Sequence, residues 1–130
     1  MALIRSFRDL NVYKAARREA AVIFESSRRF PPEERYALTD QIRKSSRAVK
    51  AMIAEAWARR RYRAVLVNKL DEALSEATET QAWLDDCLDC RYLAPTEFTR
   101  MEAARQSIGA MLNKMIDRAD NFCLSQQSTG

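Results

Sequence analysis

Two groups of cations are the side chains of this sequence best suited to chemistry with a partner. Arg43, Arg47 and Lys50 fall at i, i+4 and i+7, which places them on one face of a helix beside Lys44. Further along, Arg59, Arg60, Arg61 and Arg63 surround Tyr62. Guanidinium groups hold phosphate oxygens through paired N–H donors, and a tyrosine ring stacks on an unpaired base. The same residues also fit plainer roles. One is a solvated helix face, with Glu55 and Arg59 spaced for an i, i+4 ion pair. Another is a basic surface that pairs with an acidic one on a neighbouring subunit.

Glu72, Glu76 and Glu79 form the matching acidic face. Paired carboxylates carry out acid–base chemistry or hold metals. The chain has no histidine, however, so the Glu-x-x-His pattern of di-iron bundles is absent, as are histidine-dependent nucleophile schemes. Cys87-x-x-Cys90 together with Cys123 falls short of the four ligands of a structural zinc site. The pair is expected late in a helix, beside Asp85, Asp86 and Asp89, where the helix dipole and the carboxylates both disfavour a thiolate. Glycines at 109 and 130 alone cannot build a phosphate-cradling loop. The expectation is a non-enzymatic protein without cofactor or metal. Glu55 beside Ser45 and Ser46 is expected to be a polar cluster near the core, and Trp57 and Trp83 to serve packing or subunit contact.

Charge is distributed unevenly along the chain. Residues 1–63 hold 16 Lys/Arg against 7 Asp/Glu, a net +9, and residues 64–130 hold 6 against 11, a net −5. Such asymmetry serves an anionic partner such as nucleic acid, or pairs surfaces between helices or subunits. No apolar run approaches the ~18 residues that a membrane span needs. The first residues make too short an apolar core for a secretory signal. An odd number of cysteines argues against a disulfide framework. A reduced, cytoplasmic protein is expected.

The elements that must position these residues read as four helices. No glycine interrupts the first 108 residues, which disfavours a turn-rich sheet protein. Val12, Ala16, Ala20, Ile23 and Ser27 recur at helical spacing after Asp9 and Asn11, either of which could cap the helix. This first segment closes at Phe30, before Pro31-Pro32. A second helix is expected from about Glu33, with a stripe of Leu38, Ile42, Ser45, Val49, Met52, Ile53 and Ala56. Propensity alone would continue it to about Arg91, at nearly 90 Å too long for a compact domain. A tight turn is therefore placed near Arg60–Arg63. A third helix carries Leu66, Leu70, Ala73, Ala77, Leu84 and Leu88. Pro95 marks the next break, and a fourth helix carries Phe98, Met101, Ile108, Met111, Leu112, Met115, Ile116 and Phe122. The expected fold is an all-α, antiparallel up-down four-helix bundle over residues 1–124, with a polar, frayed tail at 125–130.

Several stretches carry a family resemblance. They are Phe7-Arg8-Asp9-Leu10-Asn11-Val12-Tyr13, the run from Phe30 to Leu38, Gln41-Ile42-Arg43-Lys44-Ser45-Ser46, Ile53-Ala54-Glu55-Ala56, Glu79-Thr80-Gln81, and Asp89-Cys90-Arg91-Tyr92-Leu93. Over about residues 7–117 the chain resembles the bacterial four-helix bundle proteins that include the large-subunit ribosomal RNA intervening-sequence proteins. Their relatives include the accessory variability proteins of diversity-generating retroelements. The chain has Met52 where the family commonly has Asn, and Ala56 where it often has Gly. The resemblance implies the bundle fold, the break after the second helix, and homo-oligomers, pentamers among them. It assigns no settled activity, although the retroelement relatives bind nucleic acid and a reverse transcriptase.

Together these readings favour a homo-oligomeric helical bundle that captures RNA or DNA, with RNA favoured, electrostatically and with little sequence readout. The candidate contacts are Arg43, Lys44, Arg47, Lys50, Arg59, Arg60, Arg61, Tyr62 and Arg63. The alternative is a protein–protein interaction scaffold whose charge asymmetry directs self-assembly or docking to a partner protein.

Overall fold

A computed structural model describes residues 3–124; the tail expected at 125–130 lies outside the described residues. The long helices are α1 (Asn11–Ser27), α2 (Leu38–Ala58), α3 (Arg63–Asp89) and α4 (Pro95–Asp117), followed by the single turn α5 (Ala119–Phe122). Contacts run α1 to α2, α2 to α3, α3 to α4 and α4 back to α1. With short connections this closes an antiparallel up-down four-helix bundle.

The helix ends depart from the sequence reading in instructive ways. Asp9 does not cap α1. Its carboxylate turns back to accept from the Arg5 and Ser6 amides at 2.8 and 3.1 Å, closing a 3-10 turn at Phe7–Asp9. Leu10 is the residue that precedes α1, and Asn11 is already inside it. The first helix ends at Ser27 rather than Phe30, because the amides of Arg28, Arg29 and Phe30 turn to carbonyls three residues back. The second helix begins at Leu38, not near Glu33. Pro32–Glu34 form only a 3-10 turn, and Ala37 at φ −114°, ψ −104° separates it from α2.

The turn expected near Arg60–Arg63 is present: α2 stops at Ala58 and α3 starts at Arg63. Neither Gly nor Pro makes this break. It is pinned from outside, where the Leu124 amide donates to the Arg60 carbonyl at 2.9 Å. Pro95 occupies the first turn of α4, and the Glu97 carboxylate reaches back to the Ala94 amide at 3.1 Å. The fourth helix does not run unbroken to Phe122; Arg118, at φ −107° and ψ 27°, divides α4 from α5.

Inside, the core falls into two apolar clusters. One gathers Val12, Ala16, Val49, Ile53, Leu66, Leu70, Ala73, Ala77, Ile108 and Leu112 with their neighbours, and the other Ile23, Leu38, Ile42, Leu84, Cys87, Leu93 and Met101. Each long helix passes from one cluster to the other, and each is interrupted at the crossing by polar residues. These are Glu19 on α1, Ser45 and Ser46 on α2, Thr80 on α3 and Arg105 on α4. All but Glu19 are buried. A polar layer therefore crosses the middle of the bundle.

Candidate nucleic-acid interface

The sequence-predicted cations divide into two unequal sets. The first lies on the edge of α2 that faces α1. Arg43 donates from Nε to Ser27 Oγ at 2.7 Å, and its guanidinium sits 4.7 Å from the Phe24 ring centroid. Arg47 stands 5.3 Å over the same ring. Arg47 and Lys50 then line a shallow groove of about 320 Å³ with Arg17, Ala20, Ala21, Phe24 and Glu25. Glu25, the one carboxylate of this lining, pairs with Arg28 at 3.2 Å. Among the described residues, none of Arg17, Arg43, Arg47 and Lys50 forms an ion pair with a carboxylate. Lys44 does not join them. It pairs with Asp40 one turn back at 3.4 Å.

The groove needs both helices. Ala20 and Ala21 are small and leave a trough rather than a ridge between α1 and α2. Phe24 holds two guanidinium groups over its face, an arrangement that fixes their direction without neutralising them. Arg17 is a functional candidate that the reading of α2 alone does not find. Its signal is present in the sequence, since Arg17 and Phe24 share one edge of α1 at i and i+7.

In the second set, around the α2–α3 turn, two of the four arginines are engaged within the fold. The Arg60 guanidinium stacks 3.9 Å from the Trp57 ring centroid and donates to the Trp57 carbonyl at 2.8 Å. Arg63 pairs with Asp120 of α5 at 2.6 Å. The expected Glu55–Arg59 ion pair is not formed, because Arg59 has already left the helix at φ −103°, ψ 15°. Arg59, Arg61 and Tyr62 remain exposed, Tyr62 at 54%. The structure thus places a stabilising clamp within the Arg59–Arg63 run.

The other candidates resolve as follows. Glu72 engages Lys69 at 3.3 Å. Glu76 is held above the usual carboxylate range, first by burial and then by the neighbouring charge of Glu79. Among the described residues no group of three or more Cys, Asp and Glu side chains could hold a metal ion. Cys87 lies at the end of α3 as expected, fully buried, and burial with the adjacent Asp86 pushes its thiol up to about 12. Cys90 is exposed. Glu55 is exposed and not part of any core cluster; the polar group at Ser45 and Ser46 is joined instead by Thr80, whose hydroxyl donates to Ser45 Oγ at 2.8 Å. Trp57 and Trp83 both pack at the edges of the apolar clusters.

Arg105 is the residue least expected. It is 1% exposed, and its Nε, Nη1 and Nη2 have no hydrogen-bond partner within the bundle. Burial pushes its pKa down to about 10, opposed by the charge of Glu19 across the α1–α4 seam. Met101 and Ile108 bracket it at i−4 and i+3 on a core stripe, which is the sequence signal for its position.

These features define a class of small all-helical proteins, antiparallel up-down four-helix bundles, here with a cationic trough on one flank and an acidic third helix. The family model of the 23S rRNA-intervening sequence protein matches residues 8–114, and the chain belongs to this family. A solved structure is similar as well. It is a protein of unknown function from the S23 ribosomal protein family of Bacteroides thetaiotaomicron VPI-5482, 26% identical. The match covers 82% of this chain and 95% of that one, with a TM-score of 0.75. None of the curated proteins matches the chain. Among the described residues, no helix is long and apolar enough to cross a membrane.

Proposed function

We propose that this protein binds nucleic acid, with RNA the favoured form, through the α1–α2 trough, and that it does so as a homo-oligomer. The observation that carries the reading is the set Arg17, Arg43, Arg47 and Lys50 around Phe24, four cations without a carboxylate partner. A cluster left unneutralised is poised to exchange its counterions for phosphates. The trough is shallow and carries no loop able to reach base edges, so it tracks a backbone and reads little sequence. Phe24, 36% exposed, holds the Arg43 and Arg47 guanidinium groups at the mouth of the trough, where their remaining N–H donors can meet phosphate oxygens. Copies of the chain in one assembly would repeat the trough and raise avidity without a new contact.

The test is a titration of the protein with single-stranded and structured RNA at low and near-physiological salt. Wild type is compared with Arg17→Glu/Arg47→Glu/Lys50→Glu and, as a control, Arg59→Glu/Arg61→Glu. Four neutralised phosphates predict a slope of log K against log salt of about −3 for a single strand. Reversal of the trough is expected to abolish binding, and reversal at the turn to weaken it only mildly. Absence of binding at low salt by folded protein, or equal losses in both variants, would overturn the reading.

A further inference from the structure

We propose that a second groove, between the start of α1 and the C-terminal half of α4, is a docking site for an acidic amphipathic helix of a partner protein. This surface is separate from the nucleic-acid trough, which lies further along α1 and on its other flank. The groove holds about 550 Å³, with a floor of Leu10, Val12, Met111, Met115 and Phe122. It exists because α1 and α4 are the least extensively packed of the adjacent helix pairs. Ile4, 39% exposed, extends the apolar surface outward at one edge.

The rim decides the chemistry of the occupant. Lys14, Lys114 and Arg118 line the groove, and among the described residues none of them forms an ion pair. Asp9 is the one acid in the lining, and its carboxylate already accepts from the Arg5 and Ser6 amides. An apolar floor below three cations, of which only Lys14 has the charge of Asp9 nearby, complements a segment with apolar side chains on one face and carboxylates beside them. The trough between two antiparallel helices has the shape that a third helix fills by ridges-into-grooves packing. From Met111 to Arg118 the site runs about 10 Å along α4, two turns, which fits two or three apolar anchors at i, i+3 or i+4, and i+7. Two methionines in the floor let it adapt to anchors of differing shape.

The test is selection from a helix-biased peptide display library with the full chain as bait. Counter-selection uses Met111→Glu and, separately, Lys114→Glu/Arg118→Glu. Met111 is half-buried and both cations are exposed, and far-ultraviolet circular dichroism checks that each variant keeps its helices. The expected result is enrichment of peptides with apolar residues at helical spacing and a net negative charge, binding at least tenfold more weakly to either variant. Enrichment of neutral or basic peptides, retention by both variants, or no enrichment would overturn the proposal. So would loss of self-association in Met111→Glu, which would make a second copy of the chain the occupant, or loss of RNA binding in Lys114→Glu/Arg118→Glu. Because the α1–α2 trough is intact in both variants, failure here is distinguishable from failure of the nucleic-acid reading.

Discussion

The Thr80 hydroxyl donates to Ser45 Oγ at 2.8 Å in the middle of the bundle, joining α3 to α2 at the layer that separates the two apolar clusters. Thr80 Oγ1 also lies 2.9 Å from the Glu76 carbonyl, and Ser45 has only a long 3.4 Å contact to the Ile42 carbonyl besides. Removing Thr80 Oγ1 therefore leaves Ser45 nearly without a protein partner in a buried site. Thr80→Val keeps the shape and is expected to cost about 1–2 kcal/mol, the range for orphaning a buried hydroxyl. Adding Ser45→Ala should return part of that loss. Urea unfolding of the two single variants and the double variant measures the coupling; strictly additive losses would show that the pair is not a unit.

Arg105 makes the stakes of that layer larger. A guanidinium that is 1% exposed loses most of its hydration, and Glu19 is only half-buried on the facing helix. Desolvation of a buried ion costs several kcal/mol, more than one partly solvated carboxylate returns. Arg105→Met, which keeps the length and removes the charge, is expected to stabilise the bundle by about 1–4 kcal/mol. Glu19→Gln should act in the opposite direction, since it removes the charge that, among the described residues, opposes the cost of burying Arg105. Thermal unfolding of both variants decides the matter, and a destabilised Arg105→Met would mean that the arginine is held by more than Glu19. If the substitution does stabilise, burial of the Arg105 charge is a net cost to the fold.

How far the sequence reaches follows from what each signal depends on. Val12, Ala16, Ala20 and Ile23, or Leu66, Leu70, Ala73 and Ala77, repeat at the helical period, and burial follows that period directly, so helices and bundle were readable. Pro95 marks its own break for the same local reason. The start of α2 was not readable, because helix propensity at Glu33 to Ala37 is acceptable, and only the backbone at Ala37 interrupts it. The basic site was half legible. Its α2 members share a face, but which α1 residues meet that face depends on how the two helices pair, and this brings in Arg17 and Phe24. Conversely, the Arg59–Arg63 run looks uniform in sequence, yet Trp57 and Asp120 remove two of its cations. Asp120 is 57 residues from Arg63, and no local pattern announces such a partner.

The acidic face of α3 titrates in a direction that can be assigned. Glu76 has a folded pKa above its ordinary 4.5, from burial first and then from the charges of Glu79 and Glu72. A raised carboxylate contributes stability below the unfolded value, and that contribution is lost as pH rises through the folded value. At pH 7 the ionised side chain is therefore a burden on the fold. Glu76→Gln is expected to raise stability at pH 7 by about 0.2–0.5 kcal/mol, the scale of a like-charge pair one turn apart. The advantage should vanish by about pH 4. Urea midpoints for both proteins across this range check it, and an advantage that persisted at pH 4 would assign the gain to packing instead of charge.

Arg91 ends α3 in the left-handed region, at φ 63°. The amide of Tyr92 donates back to the Cys87 carbonyl at 2.8 Å, and that of Arg91 to the Leu88 carbonyl at 3.0 Å. This is the pattern of a helix stop that glycine ordinarily provides, and a residue with a Cβ pays about 1–2 kcal/mol to adopt it. The stop is worth the strain because it delivers Tyr92 to Glu34, where the phenol donates to Oε2 at 2.9 Å and joins the loop before α2. Arg91→Gly relieves the strain and is expected to stabilise the protein by about 1 kcal/mol, or about 3–5 °C in Tm for a chain of this size. Arg91→Ala separates conformation from charge. It removes the guanidinium but keeps the Cβ, so it should give no such gain. An equal rise in Tm for the two variants would attribute the effect to the arginine side chain and leave the backbone conformation unstrained.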